Sequence, residues 1–308
     1  MITRRSRTET RVITAILAAS AGWGLAGVGT RAAFNQGATT LTVVAVRTGV
    51  AAFAVVLYGA LARVRISRTA WWHGIQIGIP RIGLSPLFFI ASLQHISAGV
   101  EGLIITLIPA ATAALAFAAL GERLGVRQVA GLLVGLAGTT VIIGSGASGL
   151  ATGGNAALGG GLALIGVAFA ALSGVLSRKY APRHSTRTLA LPMFVSGALT
   201  AALIAAVIGP VNMTELEPGT WLLLIALGLG STLLPFGASL FASRHATAAV
   251  VSLTGYLAPL VGVIAGVVLL DEQITPTILL GGILALVGVA LVSRRRRTGH
   301  RLEPRSVP

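Results

Sequence analysis

Apolar residues run along this chain in ten long blocks, and short polar segments separate the blocks. A helix needs roughly 20 mostly apolar residues to cross the hydrocarbon core of a bilayer. The pattern therefore predicts ten transmembrane helices, at approximately 12–32, 41–61, 71–93, 99–120, 126–145, 159–177, 188–209, 220–241, 248–270 and 277–293. The segment 146–158, which is uncharged and rich in glycine and alanine, is expected to link the first five helices to the last five.

A second pattern repeats at an offset of 150 residues. Aligned without gaps, residues 95–138 and 245–288 share eleven identities, and Gly24 falls on Gly174 at the same offset. The matches that biased composition explains least well are His95/His245, Pro109/Pro259 and Glu122/Glu272. Each half holds five helices, an odd number, so the second half must enter the membrane in the opposite direction. We predict an all-α integral membrane protein of two inverted-topology repeats, 12–145 and 159–293, with tails at 1–11 and 294–308.

Composition agrees with a chain whose solvent is lipid. Of its 308 residues 55% are hydrophobic and only 10% are charged, whereas soluble domains carry roughly 25% charged residues. The net charge of +15 does not predict nucleic-acid binding, because no soluble segment is long enough to form a basic face. The chain has no cysteine, which excludes disulfides and thiolate metal sites.

Basic residues alternate with the helices. They precede the first block and follow every even-numbered one, whereas Arg31 is the one basic residue in the other loops. By the positive-inside rule both termini are expected in the cytoplasm of a plasma-membrane protein. A cleaved signal peptide ending near Ala19-Ser20-Ala21 is the less favoured alternative.

The repeated motifs resemble those of a known family. The first block contains Gly22-Trp23-Gly24, and the two longest motifs read Pro109…Gly121-Glu122 and Pro259…Asp271-Glu272. Over nearly its whole length the chain resembles an EamA-like member of the drug/metabolite transporter superfamily. This resemblance implies secondary active transport of small metabolites or drugs by alternating access, with export the favoured direction, no cofactor and no enzymatic activity. The alternative is a non-transporting membrane sensor or scaffold with the same fold.

Arg81 is the most informative single residue, because it lies about ten positions into the third block. A charge at that depth is costly and usually faces a cavity or a partner. It could serve as a counter-charge for an anionic substrate, or it could form a structural ion pair. Arg47 lies nearer the end of its block and is expected to pair with Glu101 or to extend outward.

Three further residues complete the predicted substrate site. Trp23 could stack on a flat or apolar substrate, and Thr106 and Tyr256 occupy equivalent positions in the two repeats. Each follows a carbonyl that Pro109 or Pro259 leaves without its helical partner. Thr106 could instead bond its own helix.

The remaining polar residues are assigned structural roles. Glu122 and Glu272 are expected at opposite rims, each at the N-terminus of the next helix. His95 and His245 are expected at loop edges, and no acid lies in the middle third of a block, so a carboxylate proton relay is not expected. Gly131-x-x-x-Gly135 fits close helix packing within the monomer, and a homodimer is left open.

The sequence shows no enzyme site that survives inspection. Ser148 lies in a Gly-Ala-Ser-Gly stretch of the linker, but no histidine lies deep in a later block to take its proton. Asp271 is the only aspartate, so a pair of aspartates sharing a proton is excluded.

Overall fold

The computed structural model describes residues 2–293 except 123, 147, 151–153, 210, 247 and 252, and it does not describe the side chains of 2–8, 248, 249 and 293. The basic tail predicted at 294–308 and parts of the predicted linker therefore lie outside the described residues. Within the described part of the chain the secondary structure is helical and contains no strand.

Ten apolar helical segments follow one another. Eight are long and apolar enough to cross a membrane, and the last two are shorter. We label them α1 (Ile2–Asn35), α2 (Thr40–Leu61), α3 (Arg68–Ser92), α4 (Ala98–Leu120), α5 (Val126–Gly144), α6 (Ala156–Tyr180), α7 (Thr186–Ile208), α8 (Pro218–His245), α9 (Ala248–Leu270) and α10 (Pro276–Ser293). Large apolar side chains such as Phe53 and Leu203 are more than two-thirds exposed on the outside of the bundle, as a lipid-facing surface requires.

Four of these segments are not regular α-helices. α3 and α8 each contain a π-helical turn, Ile79–Leu84 and Leu229–Leu233, and these turns begin 150 residues apart. α4 is divided into α4a (Ala98–Ile105) and α4b (Ile108–Leu120). α9 is divided into α9a (Ala248–Val251) and α9b (Thr254–Leu270). In membrane helices such departures are tolerated where the backbone faces protein or a cavity.

The two prolines affect their helices differently. Pro109 enters the first turn of α4b, directly after the break at Thr106 and Leu107. Pro259 lies inside α9b, because the break in α9 comes earlier, before Thr254. The proline that the sequence repeats therefore does not produce the same break in both repeats.

A pseudo-two-fold relation appears where α5 crosses α10. A Cβ added at Gly131 would lie 2.6 Å from the Gly288 carbonyl oxygen, and one added at Gly138 would lie 2.5 Å from the Gly281 carbonyl oxygen. At the offset of 150, Gly131 corresponds to Gly281 and Gly138 corresponds to Gly288, so these two contacts are equivalent. Only glycine permits backbones to approach this closely, so the predicted helix packing within the monomer is observed.

The same offset relates the contacts of α1 and α6. Gly24 of α1 packs against α9b, where Gly262 lies next to it, and Gly174 of α6 packs against Thr112 of α4b. Positions 24 and 174, and positions 112 and 262, are equivalent. The two inverted five-helix repeats predicted from the sequence are therefore present, and each repeat packs its first helix against the fourth helix of the other. We call the face where α1 begins and α10 ends the terminal face, and the opposite one the distal face.

Candidate functional site

A cavity of about 340 Å³ lies between the two repeats. This volume falls within the range of pockets that bind small molecules. Seven helices contribute to its wall, through residues that include Trp23, Arg47, Arg81, Glu101, Thr106, Pro109, Ala170, Ser231, Thr232, Thr254 and Pro259. Most of the lining is apolar, so the few charged groups in it define its chemistry.

Arg81 reaches the cavity from the π-helical turn of α3. It forms no hydrogen bond or ion pair with any described residue, and its side chain is partly accessible in the cavity wall. Its equivalent in the second repeat is Ser231, on the π-helical turn of α8, which also lines the cavity. Of the two interpretations raised by the sequence, the structure therefore supports a guanidinium that faces the cavity without an acidic partner.

Arg47 also points inward, but its guanidinium is held by protein groups. Nε donates to the Thr232 hydroxyl at 2.6 Å, and Nη2 donates to the Ser231 carbonyl oxygen at 3.0 Å. No ion pair joins Arg47 to Glu101 among the described residues, so the expected pairing is not formed, and the outward extension of Arg47 is not observed either. Because Arg47 has these partners, it is less available than Arg81 to a bound solute.

Glu101 lines the cavity, although the sequence analysis did not place it in the substrate site. It lies in the first turn of α4a and is only 6% exposed. The prediction that acids stay away from the middle of the helices is accurate along the sequence. The cavity, however, extends to the distal ends of α3 and α4, where Leu93 and Ala98 also line it.

Four further predicted positions, Trp23, Thr106, Pro109 and Pro259, lie together in the cavity wall. Thr106 follows the last residue of α4a, and its hydroxyl donates to the Leu103 carbonyl oxygen at 2.6 Å. The alternative in which Thr106 bonds its own helix is therefore observed, and its hydroxyl oxygen can still accept a hydrogen bond from a solute. Pro109 and Pro259 line the cavity from α4b and α9b.

Tyr256 is not among the residues that line the cavity. Thr254, Gly255 and Ala258 represent α9b there, and Tyr256 is partly buried elsewhere on the helix. Successive helical residues are about 100° apart, so Tyr256 points about 200° away from Thr254. Thr106 and Tyr256 are equivalent in the sequence but face different directions, because α4 and α9 break at different places.

The two motif glutamates differ in their surroundings. Glu122 is 48% exposed and accepts a hydrogen bond from Arg178 at 2.9 Å. Glu272 is only 8% exposed and accepts from the main-chain amides of Ala98 and Gly99. The expectation that Glu272 enters the N-terminus of the next helix, α10, is therefore wrong, since its carboxylate caps α4a in the other repeat.

The remaining predicted polar positions lie at the helix ends. His95 follows α3 in a turn, and His245 is the last residue of α8. They lie at opposite faces, as the spacing predicts. His245 bonds the Phe241 carbonyl oxygen through Nδ1 at 2.9 Å, and neither histidine lines the cavity.

The sequence profile of the EamA-like transporter family matches residues 10–144 and 157–294, one match to each repeat. A solved crystal structure of a protein that is 24% identical covers 94% of this chain and 97% of its own, with a TM-score of 0.60. At this identity the likeness shows the fold alone. A search of curated proteins returned no significant match.

Proposed function

The chain belongs to the EamA-like transporter family, and we propose that it is a secondary transporter of small anionic solutes. The solute binds in the cavity between the repeats, next to Trp23, Arg81 and Thr106. Transport proceeds by alternating access, in which the two repeats expose this cavity first to one side and then to the other. The observation that carries the proposal is the guanidinium of Arg81, which lies in the cavity wall without a protein partner.

The charge balance of the cavity favours an anion. The described lining contains two cations, Arg47 and Arg81, and a single acid, Glu101, so it carries an excess of at least one positive charge. The remaining positive charge, on Arg81, is costly within a membrane protein unless a counter-charge approaches it. A carboxylate or phosphate would accept paired hydrogen bonds from the planar guanidinium.

The rest of the wall suits an apolar body. Trp23, Ile82, Phe89 and Phe236 surround the polar groups, and aromatic faces bind flat or apolar parts of a ligand. We therefore propose a small metabolite with one anionic group and an apolar or planar remainder.

The arrangement of basic residues supports an orientation. They cluster in the loops that lie on the terminal face, so we propose that this face is cytoplasmic and that the membrane is the plasma membrane. Export is the direction that we propose to test first. A single cysteine is placed at Gly37 on the distal face or at Arg65 on the terminal face. Its labelling by a membrane-impermeant thiol reagent would establish which face is outside.

Solute flux in proteoliposomes tests the function. Vesicles are loaded with a pool of small anionic, neutral and cationic metabolites, and the solutes lost under a proton or sodium gradient are identified by mass spectrometry. Protein-free vesicles and the surface variant Arg127→Ala, which changes an exposed cation outside the cavity, serve as controls. We expect flux of anionic solutes that requires the protein and is equal in the wild type and Arg127→Ala.

Two outcomes would contradict the proposal in different ways. Flux confined to neutral or cationic solutes would overturn the substrate class and leave transport intact. Absence of flux for all three classes would overturn transport, and a membrane sensor or scaffold would then be the better description.

A further inference from the structure

The carboxylate of Glu101 lies in the cavity wall without a partner. It forms no hydrogen bond or ion pair with any described residue, although Glu101 is only 6% exposed. Its Oε2 atom lies beside α1, where a Cβ added at Gly27 would be 3.0 Å away, and Gly27 lines the same cavity. Among the described residues that line the cavity, Glu101 is the only acid.

The packing of the fold does not require an acid at this position. At the offset of 150 the equivalent of Glu101 is Val251, so an apolar side chain occupies the same place in the second repeat. A carboxylate that is buried in a membrane protein without a partner costs free energy when it is ionised. Such a residue is expected to bind something that offsets this cost.

The charged groups on the helices around α4a do not pair with Glu101. Arg31 of α1 and Arg47 of α2 donate to other protein oxygens. The carboxylate of Glu272, at the end of α9b, accepts two main-chain amides, and His95 does not line the cavity. The described part of α10 has no charged residue, and the remaining ionisable groups of α1, α5 and α6 lie at the terminal ends of these helices: Glu9, Arg11, Arg127, Arg178, Lys179 and Tyr180.

The surroundings of Glu101 suit a proton better than a metal cation. A hard metal cation requires several oxygen ligands around it. The lining residues Ala26, Gly27, Ala98 and Gly102 have no side-chain oxygen, and the hydroxyl of Thr30 donates to the Ala26 carbonyl oxygen of its own helix. A proton needs only one carboxylate oxygen.

We propose that Glu101 carries a proton that accompanies the anion, an inference that rests on the anion site proposed above. The proton binds one carboxylate oxygen from water at one face and returns to water at the other. A neutral Glu101 does not repel an anion at Arg81, so the proton and the anion strengthen each other's binding. One proton and one monovalent anion then cross in the same direction, and together they move no net charge.

The strength of this coupling follows from Coulomb's law. Two unit charges about 10 Å apart, at an effective dielectric constant of about 20, repel each other enough to change an affinity roughly tenfold. The anion strengthens proton binding by the same factor, because the coupling is reciprocal. The affinity for an anion should therefore fall roughly tenfold as rising pH removes the proton from Glu101. Binding of an anion should in turn take up protons from the medium.

Titration with permanently ionised anions measures the coupling. Benzenesulfonate and butanesulfonate stay ionised at acid and at alkaline pH, so a pH-dependent affinity must come from the protein. Both are titrated into the full-length protein in detergent by isothermal titration calorimetry, and proton uptake is followed with an indicator dye in weakly buffered solution. Methyl phenyl sulfone, which is neutral, is the control and should bind without proton uptake.

Glu101→Gln keeps the shape of the side chain and resembles the protonated carboxyl group. We expect it to bind benzenesulfonate equally well at acid and alkaline pH, to take up no proton, and to bind roughly tenfold more tightly than the wild type at alkaline pH. A misfolded variant would not gain affinity. Glu101→Asp retains a carboxyl group and should retain proton uptake. Two controls should behave as the wild type: Glu215→Gln, which changes an exposed acid before α8, and His95→Asn, which removes a titratable group outside the cavity.

Flux in proteoliposomes tests whether the proton and the anion move together. A pH gradient that is acid outside should accumulate benzenesulfonate inside, and a potassium diffusion potential alone should not. Glu101→Gln should still exchange internal for external benzenesulfonate, because exchange needs no net proton movement. It should lose the accumulation that the pH gradient drives in the wild type.

The outcomes separate this inference from the proposed function. If the wild type bound benzenesulfonate without proton uptake, or if Glu101→Gln kept the pH dependence of the wild type, the inference would be wrong and the anion site would stand. Loss of proton uptake in His95→Asn, or accumulation under the reversed pH gradient, would also overturn it. If neither sulfonate bound the wild type at either pH, the anion site itself would be wrong, and the inference would fail with it.

Discussion

Replacing Arg81 separates a substrate counter-charge from a structural cation. Arg81→Gln keeps a similar length and hydrogen-bonding capacity but removes the charge, and Arg81→Lys keeps the charge but loses the planar fork. Because Arg81 has no ion pair or hydrogen bond with any described residue, its removal leaves no buried acid uncompensated. We therefore expect the solute-free protein to be as stable as the wild type, or more stable, since burying an unpaired cation costs free energy.

The effect on binding should be large and specific for charge. Truncating one partner of a desolvated charge pair costs about 2–5 kcal/mol, and the lower half of that range applies because Arg81 is only partly buried in the cavity wall. About 2–3 kcal/mol corresponds to a roughly 30- to 150-fold weaker affinity, at about 1.4 kcal/mol per tenfold. Arg81→Lys should lose less, since the charge remains. The affinity of a neutral analogue of the same size should not fall.

The assay compares the dissociation constants of the most actively transported anion and of its neutral amide or ester, by isothermal titration calorimetry in detergent. Thermal unfolding without solute is measured in parallel, and Arg127→Ala is the control for a change in surface charge. If Arg81→Gln destabilised the solute-free protein and bound the anion as well as the wild type does, Arg81 would be a structural cation.

Two further predictions concern the framework around the site. Thr232→Val removes the hydroxyl that accepts from Nε of Arg47, and we expect about 1.5–3 kcal/mol lower unfolding free energy in chemical denaturation, a loss that Thr232→Ser should restore. Gly138→Leu places a side chain where the Gly281 carbonyl oxygen lies 2.5 Å from a Cβ, so it should lower stability by at least about 1–3 kcal/mol. Gly144→Ala has open space around it and should be neutral. Equal thermal unfolding of these two variants would contradict the close crossing of α5 and α10.

The repeat could be predicted because inversion leaves a trace in the sequence. Ten apolar blocks, the offset of 150 and the odd helix count fix the topology without any knowledge of contacts. Even the single match of Gly24 with Gly174 is confirmed, since both glycines allow close packing against a fourth helix. The crossing at Gly131 and Gly138 follows from the same cause, because small residues in a membrane helix usually mark an interface.

The direction in which a side chain points was harder to predict. Glu101 lines the cavity because the cavity reaches the distal ends of the helices, and Tyr256 does not because α9 breaks before Thr254 while α4 breaks after Ile105. Both facts depend on contacts between residues far apart in the chain. Periodicity within one helix contains no information about them.

The contacts of Glu272 were predicted incorrectly for a related reason. Proximity in the sequence suggested that Glu272 caps the next helix, α10, but the amides it binds lie 174 and 173 residues away, at Ala98 and Gly99. The residue before each glutamate adopts a left-handed conformation, which glycine adopts freely and aspartate tolerates. That turn directs the glutamate away from its own helix and towards the other repeat.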